Sequence, residues 1–326
     1  MRVAIIGARR VRQGLGPYLA RFVAEAGHEV VAVVGTRQDT AAEAAADVGA
    51  AIDQQPVAAT DIAGVLAAGA EVLVIASPHA THAPWLRHAV EHGMHALCEK
   101  PLIWGVEQPT TEARALAAAF QEAGLLLRVN TQWPWTIDTF RQLHPDAPEV
   151  PQFFFMRMPP RTTGFAALLD CLSHPLSMLA SISSSTQFGA DRVATQVAAF
   201  VEDLTFHAGG PEAPRWEITF RYAASGYEID TRLVFDSTPD DERRTTYGLD
   251  EFTATRVVDP SDYSMALVDG DARIPLPDPT RRLVRSFLLE ASQQMPRHVD
   301  AAIAPGMRHL EQIVTAAAEH YGVPRP

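Results

Sequence analysis

Residues 1–130 alternate short apolar runs with stretches of helical spacing, and no other feature of this 326-residue chain narrows its fold as far. The apolar runs lie at 3–6, 30–34, 72–76, 95–98 and 125–129, and the helical stretches between them at 15–26, 40–48, 84–91 and 111–123. Strands apolar on both faces need cover on both sides, and intervening helices supply it. The pattern predicts a doubly wound parallel sheet forming a first domain over 1–130. Open sheets of this kind take ligands at the carboxyl ends of their strands. Gly7, Thr36, Ser77-Pro78 and Lys100 all fall at such ends.

The second half has another rhythm. A helix is expected at 165–182, with partly alternating runs at 153–158, 195–204, 216–222, 227–235 and 252–258. Gly209-Gly210-Pro211 and Thr238-Pro239-Asp240 read as turns between them. This predicts a mainly antiparallel open sheet with helices, closed by helices at 281–294 and 307–321, forming a second domain over 131–326. One face of that sheet is expected to be free, apolar and aromatic, which predicts a homodimer or homotetramer.

Composition excludes some classes. With 47% apolar residues the chain fills sizeable cores, and a net charge of −12 with no basic stripe argues against a nucleic-acid partner. The strongest apolar stretches read as strand-sized, which argues against a membrane span. Two cysteines, Cys98 and Cys171, make no disulfide framework. Together these predict a cytoplasmic protein that works on a small molecule.

The first strand leads into Gly7-Ala8-Arg9-Arg10-Val11-Arg12-Gln13-Gly14-Leu15-Gly16. A dinucleotide loop, Gly-x-Gly-x-x-Gly, lets the backbone approach a pyrophosphate. Here arginine stands at its second and third glycine positions. Gly7 and Gly14 remain, and Arg9, Arg10 and Arg12 offer guanidinium forks for phosphate in place of the lost backbone contacts. About 20 residues past Gly16 stands Thr36-Arg37, where an NAD enzyme carries an acid for the ribose. Arg37 suits a 2′-phosphate instead, so NADP is expected, with NAD as the alternative; Asp39 comes two positions late.

Only one of the 27 basic residues, Lys100, is a lysine. Arginine replaces lysine on solvated surfaces at little cost, but not where a compact ammonium is required. Lys100 lies in His95-Ala-Leu-Cys-Glu-Lys-Pro101, downstream of Val72-Leu-Val-Ile-Ala-Ser-Pro-His-Ala-Thr-His82. A strand, a Pro-His-x-x-His turn, a helix, a glycine and then Glu-Lys-Pro resemble the Gfo/Idh/MocA family, the relatives of glucose–fructose oxidoreductase and inositol dehydrogenase. Asp170-Cys171-Leu172-Ser173-His174 is similar to the family's Asp-x-x-x-His, whose ends share one helix face. The sequence departs from the family at the glycine loop, at Leu172 and Ser177, at Pro175 directly after His174, and at Asn130-Thr131-Gln132-Trp133-Pro134-Trp135.

The resemblance implies a Rossmann first domain and NAD(P)-dependent hydride transfer at a hydroxyl-bearing carbon of a sugar, polyol or similar molecule. It implies His174 as general acid/base, Asp170 aligning a hydroxyl or supporting the imidazole, and Lys100 on the reacting oxygen. Cofactor contacts are expected from Gly7, Arg9, Arg10, Arg12, Gly14, Thr36, Arg37, Ser77, Pro78, His79, His82, Glu99 and Lys100. Substrate contacts are expected from Lys100, Trp133, Asp170 and His174. Trp104 and Trp135 are further candidates for an apolar wall. His79 and His82 lack a clear third ligand, so no metal is expected. His88, His92 and His95 read as surface residues. Two other readings stay open: a redox-neutral lyase or glycosidase that uses bound nicotinamide, and a non-catalytic ligand sensor.

Overall fold

The computed structural model describes residues 1–9, 14–184, 199–224, 226–236, 244–293, 299–300 and 302–326. They form two compact units, Met1–Asn130 with Thr280–Ile303, and Thr131–Pro279 with Ala304–Pro326.

The first unit runs β1 (Arg2–Ile6), α1 (Gly16–Glu25), β2 (Glu29–Val34), α2 (Gln38–Ile52), β3 (Val57–Ala59), α3 (Ile62–Ala67), β4 (Val72–Ile75), α4 (His82–Glu91), β5 (His95–Cys98), α5 (Pro109–Glu122) and β6 (Leu127–Val129). Its strands are all parallel, in the order β3-β2-β1-β4-β5-β6. The order reverses between β1 and β4, the switch point at which such sheets open a crevice. The doubly wound sheet is as expected. Val3, Ala4, Ile5, Val33 and Val72 through Ile75 have no exposed surface, because helices cover both faces. The expected helix at 40–48 is longer than its alanine-rich centre, since α2 runs from Gln38 to Ile52 and is followed by Asp53 in a left-handed conformation.

The second unit holds α6 (Ile137–Leu143), β7 (Phe153–Met158), α7 (Gly164–Ser183), β8 (Ala199–Ala208), β9 (Arg215–Ala224), β10 (Tyr227–Asp236), β11 (Thr245–Leu249), β12 (Phe252–Val258), β13 (Met265–Asp269) and β14 (Ala272–Leu276). The strand order is β14-β13-β12-β11-β7-β10-β9-β8, antiparallel except where β7 pairs with β10. Helices α8 (Pro279–Ser292) and α9 (Ile303–His320) close the chain. The turn read at 238–240 and the first residues of the run at 195–204 lie outside the described residues.

Period-2 alternation builds the second core. Trp216, Ile218, Phe220 and Tyr222 of β9, with Ile229, Leu233 and Phe235 of β10, face inward. Helix α7 packs on β7, β9 and β10. Its buried leucines, such as Leu168, Leu172 and Leu179, each contribute roughly 2 kcal/mol. This 20-residue helix is also long and apolar enough to cross a membrane by composition, with a mean hydropathy of 1.4, and 67% of that stretch is buried inside the protein. The expectation that every strong apolar stretch is strand-sized is therefore corrected.

The outward residues are charged. Arg221 meets Asp203, Glu228 and Asp230, while Glu217 is held by Arg215 and Arg232. The free face expected to be apolar and aromatic is thus laced with ion pairs in this region, with Phe153, Phe200 and Tyr227 as exposed rings.

The chain passes between the units after Asn130, Pro279 and Ile303, where the sequence suggested one boundary near 130. Helix α8 buries the stripe Leu283, Val284, Phe287, Leu288 and Ala291. Polar ties within the first unit fix it: Arg281 to Glu25 at 2.8 Å, and Arg128 to Glu290 at 2.6 Å.

Candidate active site

The carboxyl ends of β1, β4, β5 and β6 carry the residues singled out by their motifs. The ladder extends just past the strands: Gly7 N–H donates to Val34 O at 3.0 Å, Glu99 N–H to Ile75 O at 2.9 Å and Asn130 N–H to Cys98 O at 2.8 Å. Gly7 adopts φ +85°, and a Cβ there would sit 2.8 Å from Ser77 Cα and N. Gly16 is equally constrained, since its Cβ would fall 2.6 Å from Ala8 Cα. Strand β1 therefore meets the start of α1 with backbone on backbone. Helix α1 opens there without a side-chain cap and without an acid in its first turn. Such a helix start suits an anion.

Around Lys100, two loops are tied together. His82 is fully buried; its Nε2 lies 2.8 Å from Ser77 O, and its Nδ1 lies 3.1 Å from Pro101 O and 3.2 Å from Leu102 O. Burial lowers its pKa, against the pull of these carbonyls. The ring so joins the loop after β4 to the loop after β5, which starts with Lys100 and a cis Lys100–Pro101 bond. The expectation that His82 touches a cofactor is corrected: with no exposed surface and both nitrogens on carbonyls, it braces the neighbours of Lys100. Ser77 Oγ meets Thr81 Oγ1 at 2.6 Å, closing the same turn. Glu99 accepts a hydrogen bond from the Asn130 amide. His79, partly exposed, keeps its Nδ1 buried without a hydrogen-bond partner. Burial, then the neighbouring His82 and Lys100, lowers its pKa and holds the ring neutral.

At the ends of β1 and β2, Arg37 grips Asp39 through both Nε and Nη2, and the Asp39 carboxyl is lowered first by that bond. Arg9 Nη2 lies 4.0 Å from Glu43. Thr36, Arg37 and Pro78 are exposed, and Gly14 is partly so. Arg10 and Arg12 lie outside the described residues.

In the second unit, Asp170 and His174 stand one turn apart on α7, which runs through Pro175. Ser177 Oγ–H donates to the His174 carbonyl at 2.7 Å. Trp133 is only 1% exposed and sits edge-on to His174 at 6.3 Å and to Tyr247 at 6.1 Å. Trp133, expected to contact substrate, is packed beneath these rings, and its Nε1 is buried without a hydrogen-bond partner. Trp104 is buried too, and Trp135 is partly exposed. The Tyr247 hydroxyl meets Thr136 Oγ1 at 2.9 Å, and burial raises its pKa. Sequence reasoning missed Arg256 of β12, whose Cζ lies 4.5 Å from the Trp133 ring centroid. The signal was present in the alternating run at 252–258, where Arg256 stands two residues from the apolar Ala254 and so shares its face.

The three histidines read as surface residues divide. His95 is buried, its Nδ1 accepting from Leu126 N–H at 3.0 Å, which corrects that reading. His88 and Glu91 of α4 and His92, directly after it, bring their ligand atoms within 4.8 Å of one another.

Residues 1–131 match a model of an oxidoreductase family with an NAD-binding Rossmann fold, GFO_IDH_MocA. This domain belongs to the Gfo/Idh/MocA oxidoreductase family. No curated protein matches the chain. Solved structures similar over almost the full length include UDP-N-acetylglucosamine 3-dehydrogenase GnnA from Acidithiobacillus ferrooxidans, at 19% identity, TM-score 0.65 and 98% of both chains. Another is KijD10, a 3-ketoreductase from Actinomadura kijaniata in complex with TDP-benzene and NADP, at 18% identity, TM-score 0.61 and 97% of both chains. A third is the WlbA dehydrogenase from Thermus thermophilus in complex with NAD and UDP-GlcNAcA, at 16% identity, TM-score 0.62, covering 100% of this chain and 97% of that one. At such identities the likeness establishes the Gfo/Idh/MocA fold. The close-packed Gly7 and Gly16, the uncapped α1 and the orphaned His79 Nδ1 fit a dinucleotide along the β1–β4 edge.

Proposed function

We propose that the protein is an NADP(H)-dependent oxidoreductase acting on a hydroxyl-bearing carbon, or the matching carbonyl, of a sugar, sugar nucleotide or polyol. The position of Lys100 carries this reading: the one lysine of the chain stands at the carboxyl end of β5, beside a neutral His79 and braced by His82. Hydride transfer is the chemistry that a nicotinamide would supply when bound. Lys100 Nζ donates a hydrogen bond to the reacting oxygen and stabilises the negative charge that develops there. His174 gives or takes the hydroxyl proton, the general acid/base role that the resemblance implies for it. Asp170, one turn away, aligns a hydroxyl or steadies the imidazole. The similar folds named for activity on, or bound to, nucleotide sugars support the substrate class.

Gly7 and Gly16 would let the cofactor's phosphates approach the backbone, Arg9 would grip phosphate in exchange for Glu43, and Arg37 would meet a 2′-phosphate in exchange for Asp39. Asp39 favours the competing NAD reading, because a carboxylate so placed also suits ribose hydroxyls. Titration with NADPH and NADH tests both. Tighter NADPH is expected; tighter NADH removes the role of Arg37, and no binding of either at millimolar concentration refutes the oxidoreductase reading. A homodimer or homotetramer belongs to the same reading, and a monomer in sedimentation at micromolar concentration refutes that part.

A further inference from the structure

Arg256 is a cation on the covered face of a sheet. Across the ladder it faces Thr245 of β11 and Leu267 of β13, both buried. Its Nε is shut from solvent and has no hydrogen-bond partner, and the same holds for Nε1 of Trp133, the ring it stacks on. No carboxylate among the described residues reaches ion-pair distance. Asp278 attracts the guanidinium from farther away, and Arg161 opposes it with a second positive charge. Burial pulls the Arg256 pKa down to about 10, so it stays charged at neutral pH.

Arg256 is half-buried with its Nε sealed, and a partly desolvated charge without a counterion at ion-pair distance is costly, so folds retain one where it serves a purpose beyond stability. The indole face satisfies one side of the guanidinium and none of its N–H groups. Two buried donors on stacked side chains, both without an acceptor, ask for a group made only of acceptors. The ring that carries one of them also lies against His174. The gap in the hydrogen-bonding thus adjoins the imidazole given the proton-transfer role.

We infer that Arg256, assisted by Arg161, holds an anionic group of the substrate, a carboxylate or a phosphate, so that the protein acts on an acidic or phosphorylated sugar and not on a neutral one. This rests on reading the second unit as the substrate-holding part of an oxidoreductase. Arginine's planar fork matches carboxylate and phosphate oxygens in pairs, whereas neutral hydroxyls leave its charge uncompensated.

The test uses the full chain without added nicotinamide, so that it stands apart from cofactor binding. UDP, D-glucuronate and D-glucose are titrated by calorimetry. UDP or glucuronate is expected to bind, the two arms telling phosphate from carboxylate, and glucose is not. Arg256→Met, which keeps the stem and removes the charge, is expected to weaken anion binding about 10-fold or more. Its melting temperature without ligand should equal or exceed that of the parent, because an uncompensated charge has gone. A drop in melting temperature shows a structural brace and overturns the inference. Arg256→Lys keeps charge without the fork and should bind anions at an intermediate level; binding equal to the parent removes the fork from the argument and overturns it. Glucose binding as well as the anions, neither anion binding, or undiminished anion binding by Arg256→Met also overturns it. NADPH titration of the same preparations separates the two readings. Anions bound without NADPH refute the redox assignment alone, and NADPH bound without anions refutes this inference alone.

Discussion

Replacing Gly7 by alanine tests the join between β1 and β4 most directly. At φ +85° an L-residue costs roughly 1–2 kcal/mol relative to glycine. The new methyl also lands 2.8 Å from Ser77 Cα and N, which are backbone atoms at a strand end and cannot swing aside. Forcing extra volume into such a contact costs roughly 1–3 kcal/mol. The total is about 2–5 kcal/mol, which moves a urea midpoint by roughly 1–2 M for a unit of this size. Gly27 provides the control. It has φ +80° with nothing within 4 Å of its Cβ position, so Gly27→Ala isolates the backbone cost of about 1–2 kcal/mol. Urea melts followed by circular dichroism, with cofactor titration on the same samples, give both readouts. Gly7→Ala should lose more stability than Gly27→Ala and bind NADPH about 10-fold more weakly or worse, each tenfold being about 1.4 kcal/mol. If the two variants melt alike and bind alike, the close approach of the first loop to Ser77 is wrong.

Three further outcomes are expected. Lys100→Arg keeps the charge but misplaces the donor, so turnover should fall about 100-fold or more with an unchanged melting temperature, and a fully active variant ends the case for Lys100. His82→Phe keeps the ring volume and removes the tie among Ser77, Pro101 and Leu102; it should lose about 1–3 kcal/mol in chemical denaturation, and an unperturbed midpoint contradicts the brace. His309 is buried, its pKa pulled down to about 4, chiefly by burial, with its Nε2 3.0 Å from Ala199 O. The unfolded chain takes that proton first, so stability present above about pH 6.5 is lost as pH falls towards 4, by up to about 3 kcal/mol. His309→Gln should flatten that part of the stability profile, and identical profiles remove His309 from it.

The strands that mattered most for the site were legible because they are buried on both sides. Val72–Ile75 and His95–Cys98 are apolar in every position but His95, and even that ring is tucked against Leu126 N–H. Strand β3, the three residues Val57–Ala59, is too short to form a run, and α3 is a single brief amphipathic stretch. Strands β11, β13 and β14 went unread for another reason. Each has five residues, and Pro275 in β14 argues against a strand except at a sheet edge, which is where β14 lies. The site was legible where motif and strand end coincide, as at Lys100. It was misread where burial decides the role, as for His82 and His95, because an imidazole near a strand end looks the same in sequence whether it faces solvent or backbone. The return of α8 to the first unit was invisible, since an amphipathic stripe says that a helix is covered and not by what.

That return has a consequence for how the chain acquires its shape. Arg128 at the last strand of the first sheet pairs with Glu290, 162 residues further on, and Asp300 N–H reaches Leu127 O at 3.2 Å. The nucleotide-binding half is therefore not finished when its six strands have left the ribosome. It waits, with the surface for α8 bare, while the entire eight-stranded sheet is made. Local contacts form early and distant ones late, so this domain should stay loosely packed through most of synthesis. A fragment ending near residue 130 is thus a snapshot of that waiting state and not a smaller version of the enzyme.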